Sequence, residues 1–446
     1  MKKRKLLAIF VVLMMCMGAL AGCGGGDAGG DEPAGGNDNS GGGGDDNGVH
    51  EIYSYLPDTA LSGFMNPDDL PDRTNIEKAL PFEPADPDNV VIGWTEITQS
   101  DAWFVAVYDA ARAKAAEYGY TLLFDVAEHD LQAQSAHIDS YIARGVDIIV
   151  VDPTDVVGVA EPIRRAVEAG IPVIGFGSEI FGAPVITTIT GNTFENGFVN
   201  GEYAGGEYFD PYEEIVSSVV LGVFGNSTAE SRVNGMLSGF IYGRAQARGD
   251  DISKEDATLI ATKLFKDLVR TGRFESAEYN FRCGHVGEGL WTDQGGLENT
   301  ENAITSIGDS LNLVFAENDF QGAGAAVALR NYNLTDSVKI LSPGNGGREF
   351  FQLIQDGIMV SNGSHSATQY AEATMKMIYE LANGTNTWDE NNLPGLTASD
   401  PLCINLDNWE DYWDPDTSNP FHKVDEIKVL TVPELRQAIR DGTYGK

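Results

Sequence analysis

Short, wholly apolar runs alternate with amphipathic segments from residue 90 onward, and this alternation constrains the fold more than any other feature of the chain. "VVIGW" (90–94) precedes a segment whose apolar residues recur every three or four positions up to Tyr118, and "TLLFDV" (121–126) follows it. Runs of this kind are typical of strands buried on both faces, and the intervening period is that of a helix. The pattern therefore predicts parallel sheets covered by helices, which is an α/β fold.

The alternation occurs in two successive series. The first ends at "IPVIGF" (171–176), and the second begins at "IVSSVVLGVFG" (215–225) and includes "LNLVFAEND" (311–319) and "VKILS" (338–342). Two series of similar make-up predict two doubly wound parallel-sheet domains joined by a hinge, with extensions at both ends of the chain.

The N-terminus is typical of a bacterial lipoprotein. A basic stretch at 2–5 precedes an apolar run at 6–18 that is short for a membrane span, and "LAGC" places small residues directly before Cys23. This order resembles a lipobox, so we expect removal of residues 1–22 and a lipid on Cys23 that anchors the chain to the membrane. An ordinary secretory signal or a short membrane anchor is the alternative.

Composition distinguishes the segments on either side of the α/β region. The stretch after Cys23 is almost entirely Gly, Asp, Asn and Ser, which cannot bury enough apolar surface to fold and predicts a flexible tether. The next stretch is rich in Pro and Asp but carries aromatic residues, and we expect it to lie against the body of the protein. The predicted organisation is a signal peptide at 1–22, a tether at 23–48, an extension at 49–89, an N-terminal lobe at 90–178 and 366–395, a C-terminal lobe at 179–365 with a helical insertion near 250–290, and a C-terminal extension at 396–446.

Polar residues collect in the loops that follow the predicted strands. The loops are "TEITQSDAWF", "DPTD" and "GFGSEIF" in the first series, and "GNSTAESR", "ENDF" and "SPGNGGRE" in the second. Because ligands of open α/β sheets bind outside the carboxyl ends of the strands, these loops predict a ligand site between the two lobes.

One of these loops carries two adjacent aromatic residues, Trp103 and Phe104. Neighbouring positions on a helix point about 100° apart, so both rings cannot easily face one core. We therefore expect at least one ring to border the ligand. The alternative is that both rings belong to the core.

Charge and motif content restrict the class of function. The formal net charge is −38 at pH 7, and such a surface repels nucleic acid and anionic lipid. The sequence has no G-x-S-x-G, H-E-x-x-H or Walker motif, and its six histidines are scattered. We therefore expect a protein that is not an enzyme and that uses no cofactor.

Two further features are less specific. Cys283 and Cys403 are an even pair outside the cell, which favours a disulfide, with two isolated thiols as the alternative. A partial calcium-loop pattern lacks the turn glycine, so we expect a solvated acidic loop rather than a metal site there: Asp414, Asp416, Ser418 and Asp425.

Several segments, taken in order, resemble the type I periplasmic sugar-binding proteins, the substrate receptors of ABC importers of the ribose and galactose kind. "ARGVDIIVVDPTD" with "IRRAVEAGIPVIGF", then "GNSTAESRVNGM" and "VFAENDFQGAGAAVAL", carry a resemblance that covers roughly two-thirds of the chain. Carried over position by position, the resemblance implies a cleft lined by Asp101, Trp103, Phe104, Asp152, Asp155, Arg232, Trp291, Asn318, Asn345 and His365. Gln99, in the polar loop after the first predicted strand, is a further candidate for ligand binding. The chain departs from the family's usual residues at Asp101, Trp103, Asn345 and His365.

These residue types suit a sugar. Asp, Asn, Gln and Arg pair with hydroxyl groups in fixed directions, and aromatic faces pack on the C–H faces of a sugar ring. The resemblance implies a monomer that closes on a mono- or disaccharide and delivers it to an ABC transporter permease. Two alternatives stay open: a sensor lipoprotein that presents a sugar or signalling molecule to a membrane receptor kinase, and a nucleoside receptor in which Trp103 and Trp291 stack on a base.

Overall fold

The computed structural model describes residues 73–389, 393–413 and 427–431, which contain two sheets with helices on their faces. The strands are β1 (Val91–Glu96), β2 (Thr121–Val126), β3 (Ile148–Val151), β4 (Val173–Phe176), β5 (Thr188–Gly191), β6 (Ile215–Leu221), β7 (Phe274–Ser276), β8 (Phe281–Glu288), β9 (Leu313–Ala316), β10 (Lys339–Ser342), β11 (Met359–Asn362), β12 (Pro394–Ser399), β13 (Ile404–Asn405) and β14 (Ile427–Thr431). The helices are α1 (Ala102–Tyr118), α2 (Leu131–Arg144), α3 (Ala160–Glu168), α4 (Thr193–Tyr203), α5 (Ser227–Arg248), α6 (Lys254–Thr271), α7 (Asp293–Ile307), α8 (Asp319–Asn331), α9 (Phe351–Gln355) and α10 (Ala367–Ala382).

The first sheet has the order β14-β12-β5-β4-β3-β1-β2, with β14 antiparallel to β12 and the remaining pairs parallel. Strand β3 shows why both faces of this sheet are covered. Ile148 and Val150 pack in one apolar cluster with residues of α1 and α10, whereas Ile149 and Val151 pack in another with residues of α2 and α3. A strand that is apolar at every position requires this double cover.

The second sheet has the order β13-β11-β10-β9-β6-β8-β7, with parallel central strands and antiparallel edge strands β7 and β13. Strand β9 alternates in the same way. Leu313 and Phe315 pack with residues of α5, and Val314 and Ala316 pack with residues of α8. The predicted α/β fold with parallel sheets in two lobes is therefore confirmed.

Three of the predicted boundaries differ from the observed sheets. Strand β5 lies in the first sheet, although the predicted N-terminal lobe stops at residue 178. The region near 250–290 is not only helical, because α6 is followed by β7 and β8, and β8 pairs in parallel with β6. The C-terminal region supplies β12 and β14 to the first sheet and β13 to the second. These strands are short or of mixed polarity, and partners remote in sequence fix them, so local periodicity does not reveal them.

Residues 73–89, the described part of the N-terminal extension, lie against the first lobe as expected. Ile76, Leu80 and Phe82 are buried in the core, and Arg73 Nη2 donates a hydrogen bond to Ile186 O at 3.0 Å. These contacts hold the described part of the extension against the first lobe.

Described segments that join the lobes include the junction of β5 with α4, residues 363–366 before α10, and residues 400–403 before β13. The side chain of Asn196, on α4, ties two of them together. Its Nδ2 donates to Pro343 O at 2.7 Å and Ser364 O at 2.9 Å, and its Oδ1 accepts from Ser364 N at 3.1 Å and Leu402 N at 3.2 Å. One buried amide thus fixes the crossing segments that form the hinge.

The predicted disulfide is wrong, because Cys283 and Cys403 are both free thiols. Cys283 lies on β8 and Cys403 directly precedes β13, and four strands of the second sheet separate β8 from β13. At about 4.8 Å per strand, the two residues are roughly 24 Å apart, far beyond the Cα separation of about 7 Å that a disulfide tolerates.

Several predictions concern residues outside the described ranges: the signal peptide, the tether, lipidation of Cys23, and the calcium pattern of Asp414, Asp416, Ser418 and Asp425. Of the helices in the described ranges, none is both long and apolar enough to cross a membrane. The described residues likewise include no cluster of three or more His, Cys, Asp or Glu side chains that could hold a metal ion.

Candidate functional site

A cavity lies between the two lobes, beyond the carboxyl ends of strands from both sheets. About 410 Å³ of space not filled by protein atoms lies there, part of it open to solvent. The residues that line it are Ile97, Asp101, Trp103, Phe104, Asp152, Gly177, Ser178, Thr228, Arg232, Trp291, Asn318, Asn345 and His365. Nine of them are among the eleven predicted site residues.

Trp103 and Phe104 enter the cavity from the first turn of α1. Asp101 caps this helix, because its Oδ1 accepts hydrogen bonds from Trp103 N at 2.7 Å and Phe104 N at 3.3 Å. The two rings meet edge to face at 5.1 Å, and both are nearly buried, with exposures of 4% and 6%. Both belong to the apolar core and both line the cavity, so the two interpretations offered by the sequence hold together.

Trp291 approaches from the second lobe, in the loop between β8 and α7. Leu290 and Trp291 both adopt left-handed backbone conformations, with φ of 49° and 59°. Such conformations are costly for residues other than Gly, Asn and Asp, and they are concentrated at functional sites. The indole faces Phe104, with ring centres 6.5 Å apart, and stacks on His129 at 6.3 Å. A Cβ atom on Gly222 would overlap the indole Nε1, so a glycine there leaves room for Trp291.

Arg232, on α5, is the cationic side chain of the cavity wall and is 2% exposed. Its Nη1 is paired with Glu317 Oε1 and also donates to Glu317 O at 3.3 Å. Its Nε and Nη2 are buried and have no hydrogen-bond partner among the described residues. Burial raises the pKa of Glu317, and the nearby guanidinium partly opposes that shift. Two buried donors without partners are costly, and an oxygen-rich ligand would satisfy them.

Two carboxyl groups face the cavity from the first lobe. Burial raises the pKa of Asp101 and the pKa of Asp152 each to about 7. Glu96 lies behind Asp152 and is hydrogen-bonded to it, and burial together with this second carboxyl raises the pKa of Glu96 well above its ordinary value. Like charges at contact cannot both ionise cheaply, so the pair shares a proton near neutral pH.

His365 lies at the hinge and packs flat against Trp103, with ring centres 5.0 Å apart and an angle of 19° between the planes. Trp103 Nε1 donates to His365 O at 2.7 Å, and His365 Nδ1 is buried without a hydrogen-bond partner among the described residues. Burial lowers the pKa of His365 well below its ordinary value, so the ring is neutral.

Asn318 and Asn345 line the cavity from the second lobe. The side chain of Asn318 is engaged locally, because its Oδ1 accepts from Gln321 N at 2.9 Å as the cap of α8 and its Nδ2 donates to Trp291 O at 3.2 Å. It thereby also positions the backbone of Trp291. The backbone carbonyl of Asn345 accepts from His365 N at 3.3 Å, which connects the second lobe to the hinge.

Gln99 and Asp155 do not reach the cavity. Gln99 is half-buried in the loop after β1 but is not among the lining residues. Asp155 is exposed, and its Oδ1 accepts hydrogen bonds from Val157 N at 3.0 Å and Gly158 N at 2.7 Å. Its carboxylate closes a turn, so its position on a strand-end loop serves local structure rather than a ligand.

Sequence reasoning did not single out Ile97, Gly177, Ser178 and Thr228 as lining residues. Gly177, Ser178 and Thr228 lie in two of the predicted loops but lack charged or aromatic side chains, and only the fold reveals their role. Thr228 Oγ1 donates to Gly177 O at 2.8 Å, and Asn226 Nδ2 donates to Ser178 Oγ at 3.1 Å. These bonds cross from the second lobe to the first, so the lobes are closed along this side of the cavity.

Comparisons with known proteins agree with this architecture. A family model described as "Periplasmic binding protein domain" matches residues 92–386. The ribose import binding protein RbsB of Haemophilus influenzae is 25% identical over 272 residues, which are 61% of this chain and 76% of that protein.

Two solved structures are similar in fold. An ABC transporter periplasmic solute binding protein from Actinobacillus succinogenes, with bound D-allose, has a TM-score of 0.56 and 19% identity, over 72% of this chain and 100% of its own. The fructose binding periplasmic domain of the hybrid two-component system BT1754 has a TM-score of 0.56 and 15% identity, over 72% of this chain and 92% of its own. Likeness at these identities establishes the shared architecture.

The family model extends from within β1 to just beyond α10 and so covers most of both lobes and two of the three described segments that join them. The relative and the two structures reported above are named for the binding of ribose, a solute and fructose, respectively. The chain belongs to the periplasmic binding protein family.

Proposed function

We propose that this chain is a monomeric, lipid-anchored receptor outside the cytoplasm that captures a sugar between its lobes and delivers it to an ABC importer. The family is described as periplasmic, and the relative RbsB is a ribose import binding protein. A ligand that contacts both lobes selects the closed state, and the importer recognises that closed state.

The observation that carries the proposal is the pair of unpartnered donors on Arg232, in a cavity that aromatic rings from both lobes also line. Arg232 Nε and Nη2 are buried without partners among the described residues, while Trp103 and Trp291 line the same cavity. Ring-faced walls with a few directed polar groups match a molecule that has apolar C–H faces and hydroxyl edges. A mono- or disaccharide has this chemistry.

A thermal-shift screen of the purified full-length chain in detergent tests the proposal directly. Monosaccharides, disaccharides, nucleosides and amino acids are the candidate ligands, and a ligand that binds the folded form raises the melting temperature by mass action. A sugar that stabilises the wild type but not Trp103→Ala or Arg232→Ala supports the receptor assignment. A response to nucleosides alone would retain the fold and replace the substrate class.

Anchoring through Cys23 is a separate part of the proposal and needs its own measurement. Mass spectrometry of the chain expressed in a bacterial host should find a lipid-modified Cys23 at the N-terminus and no residues 1–22. The variant Cys23→Ser should leave the membrane fraction. Recovery of an unmodified N-terminus elsewhere in the chain would contradict lipid anchoring.

Sensing is the second candidate function, and the likeness to the periplasmic domain of a hybrid two-component system favours it. The cavity would be the same in both cases, so only the membrane partner discriminates. Cross-linking of the ligand-bound chain in its native membrane should capture a transporter permease under the import proposal. Capture of a receptor kinase in its place would establish the sensor role.

A further inference from the structure

The walls of the cavity hold an unequal number of acidic and basic groups. Among the described residues that line it, Arg232 is the single Lys or Arg. Its guanidinium is already paired with Glu317. Asp101 and Asp152 also line the cavity; Asp152 is buried and Asp101 is partly buried. Because Arg232 is already paired with Glu317, the described lining residues hold no further Lys or Arg to balance the carboxyls of Asp101 and Asp152.

The hydrogen bonds of these carboxyls come from neutral groups or from another acid. Asp101 Oδ1 accepts from the backbone N–H groups of Trp103 and Phe104. Asp152 is bonded to Glu96, whose own oxygens accept from Trp94 Nε1 at 3.2 Å and Ile97 N at 3.0 Å. Hydrogen bonds from neutral donors stabilise these oxygens but do not offset a buried negative charge.

Other titratable groups around these carboxyls do not supply the missing positive charge. His365 is neutral because burial lowers its pKa, and Asp319 adds a further acid close enough to raise the pKa of Asp101. A ligand that brings its own cation would therefore be stabilised here by charge-assisted hydrogen bonds, and an anionic ligand would be repelled.

We propose that the preferred ligands are sugars with a protonated amino group, held by Asp101 and Asp152, and that the cavity ranks amino sugars above neutral sugars and neutral sugars above uronic acids. This inference rests on the proposed sugar-receptor function and specifies its substrate class. Arg232 binds hydroxyl oxygens on the other side of the same ring.

Isothermal titration of the full-length chain in detergent with matched charge series tests the ranking. Each series contains an amino sugar, its neutral parent, its N-acetyl form and the corresponding uronic acid, in the gluco and galacto configurations. Replacing a neutral hydrogen bond by a charge-assisted one predicts that the amino sugar of at least one series binds about tenfold more tightly than its parent. The N-acetyl form, which lacks the charge, should lose this gain, and the uronic acid should bind most weakly.

Isosteric substitutions identify the responsible carboxyls. In Asp101→Asn the helix cap is retained, since Asn caps as well as Asp, and in Asp152→Asn the size of the side chain is retained. Each should reduce the amino-sugar preference, and the double variant should abolish it. Asp155→Asn is the matched control, because Asp155 makes a similar turn contact outside the cavity and should leave the preference unchanged.

The outcomes separate this inference from the function on which it rests. Binding of neutral sugars with no preference for the amino form in either series overturns the inference and keeps the receptor function. Tight binding of uronic acids also overturns it. If no sugar of any charge binds, both the inference and the proposed function fail. A preference that persists in the double variant Asp101→Asn/Asp152→Asn refutes the assignment to these carboxyls.

Discussion

Arg232 and Glu317 form an ion pair in the wall of the cavity with side-chain exposures of 2% and 0%. A buried pair adds little net stability, because the desolvation of two ions offsets their attraction, but removal of one partner leaves an uncompensated charge. The effect of Arg232 on folding can therefore be separated from its effect on ligand binding by neutralising Glu317 at the same time.

We expect Arg232→Met to lower the free energy of unfolding by about 3–5 kcal/mol, because Glu317 is left buried and unpaired. The double variant Arg232→Met/Glu317→Gln should recover most of that loss. Sugar affinity should fall about a hundredfold or more in both variants, because the ligand loses its charged donor. Urea unfolding and calorimetry measure the two effects, and a double variant that binds as tightly as the wild type would remove Arg232 from the site.

Trp291 depends on the space left by Gly222. We expect Gly222→Ala to displace the indole, because the added Cβ overlaps Nε1, and to weaken sugar binding about tenfold through lost aromatic packing. Calorimetry would measure the lower affinity, and tryptophan fluorescence would report the displaced indole. Phe224→Ala is the control, since Phe224 lies two residues further along and is exposed, and it should bind normally. Equal affinities in the two variants would contradict a role for the indole position.

The candidate site could be predicted to a useful extent because chemistry and topology act on the same loops. The rule that ligands bind beyond the carboxyl ends of strands selected the loops, and residue type then selected Trp103 and Arg232 within them. It selected Asp155 wrongly, because a turn-closing Asp has the same residue type as a ligand-binding one. It missed Gly177, whose contribution is space and a backbone carbonyl, neither of which a side-chain pattern reveals.

At the scale of elements, strands with local apolar runs were predictable and strands fixed by remote partners were not. Strand β3 could be predicted because all four of its residues are apolar, and all four are buried in the structure. Strand β8 has a mixed burial pattern, and β12 pairs with β5 across about two hundred residues of sequence. The same remoteness applies to the hinge, where Asn196 joins segments that no local pattern connects.

The amide of Asn196 offers a test of the hinge. We expect Asn196→Ala to lower the free energy of unfolding by about 2–4 kcal/mol, since it leaves buried backbone groups of Pro343, Ser364 and Leu402 with one bond fewer. Chemical denaturation measures the loss. Asn302→Ala, at an exposed position on α7, should change stability by no more than about 0.5 kcal/mol. A loss below that bound for Asn196→Ala would mean that the hinge does not depend on this side chain.

At the scale of the whole molecule, the closed lobes bury acids that would otherwise face water. Burial raises the pKa of Asp101 and of Asp152 to about 7 and the pKa of Asp319 to about 6. Asp101 and Asp152 belong to the first lobe and Asp319 to the second, so their titration affects the stability of both lobes. Their exposed counterparts in the unfolded chain titrate near 4.

This difference fixes the sign of the pH dependence. A carboxyl whose pKa is higher in the folded state than in the unfolded state binds its proton more tightly when folded. Its contribution to stability is complete below the unfolded pKa and is lost as pH rises through the folded pKa. We therefore expect the free energy of unfolding of the ligand-free chain to fall by a few kcal/mol in total between about pH 4 and pH 7.

Urea unfolding at pH 4.5, 5.5, 6.5 and 7.5 would measure this slope. Asp152→Asn should flatten this slope, because the amide cannot ionise and Glu96 loses the acidic neighbour that helps to raise its pKa. Asp155→Asn should leave the slope unchanged, because Asp155 is exposed. Stability that rises over this window would show that Asp101, Asp152 and Asp319 are ionised in the folded chain at low pH. The cavity would then hold permanent negative charge, since no buried proton would be left to neutralise it.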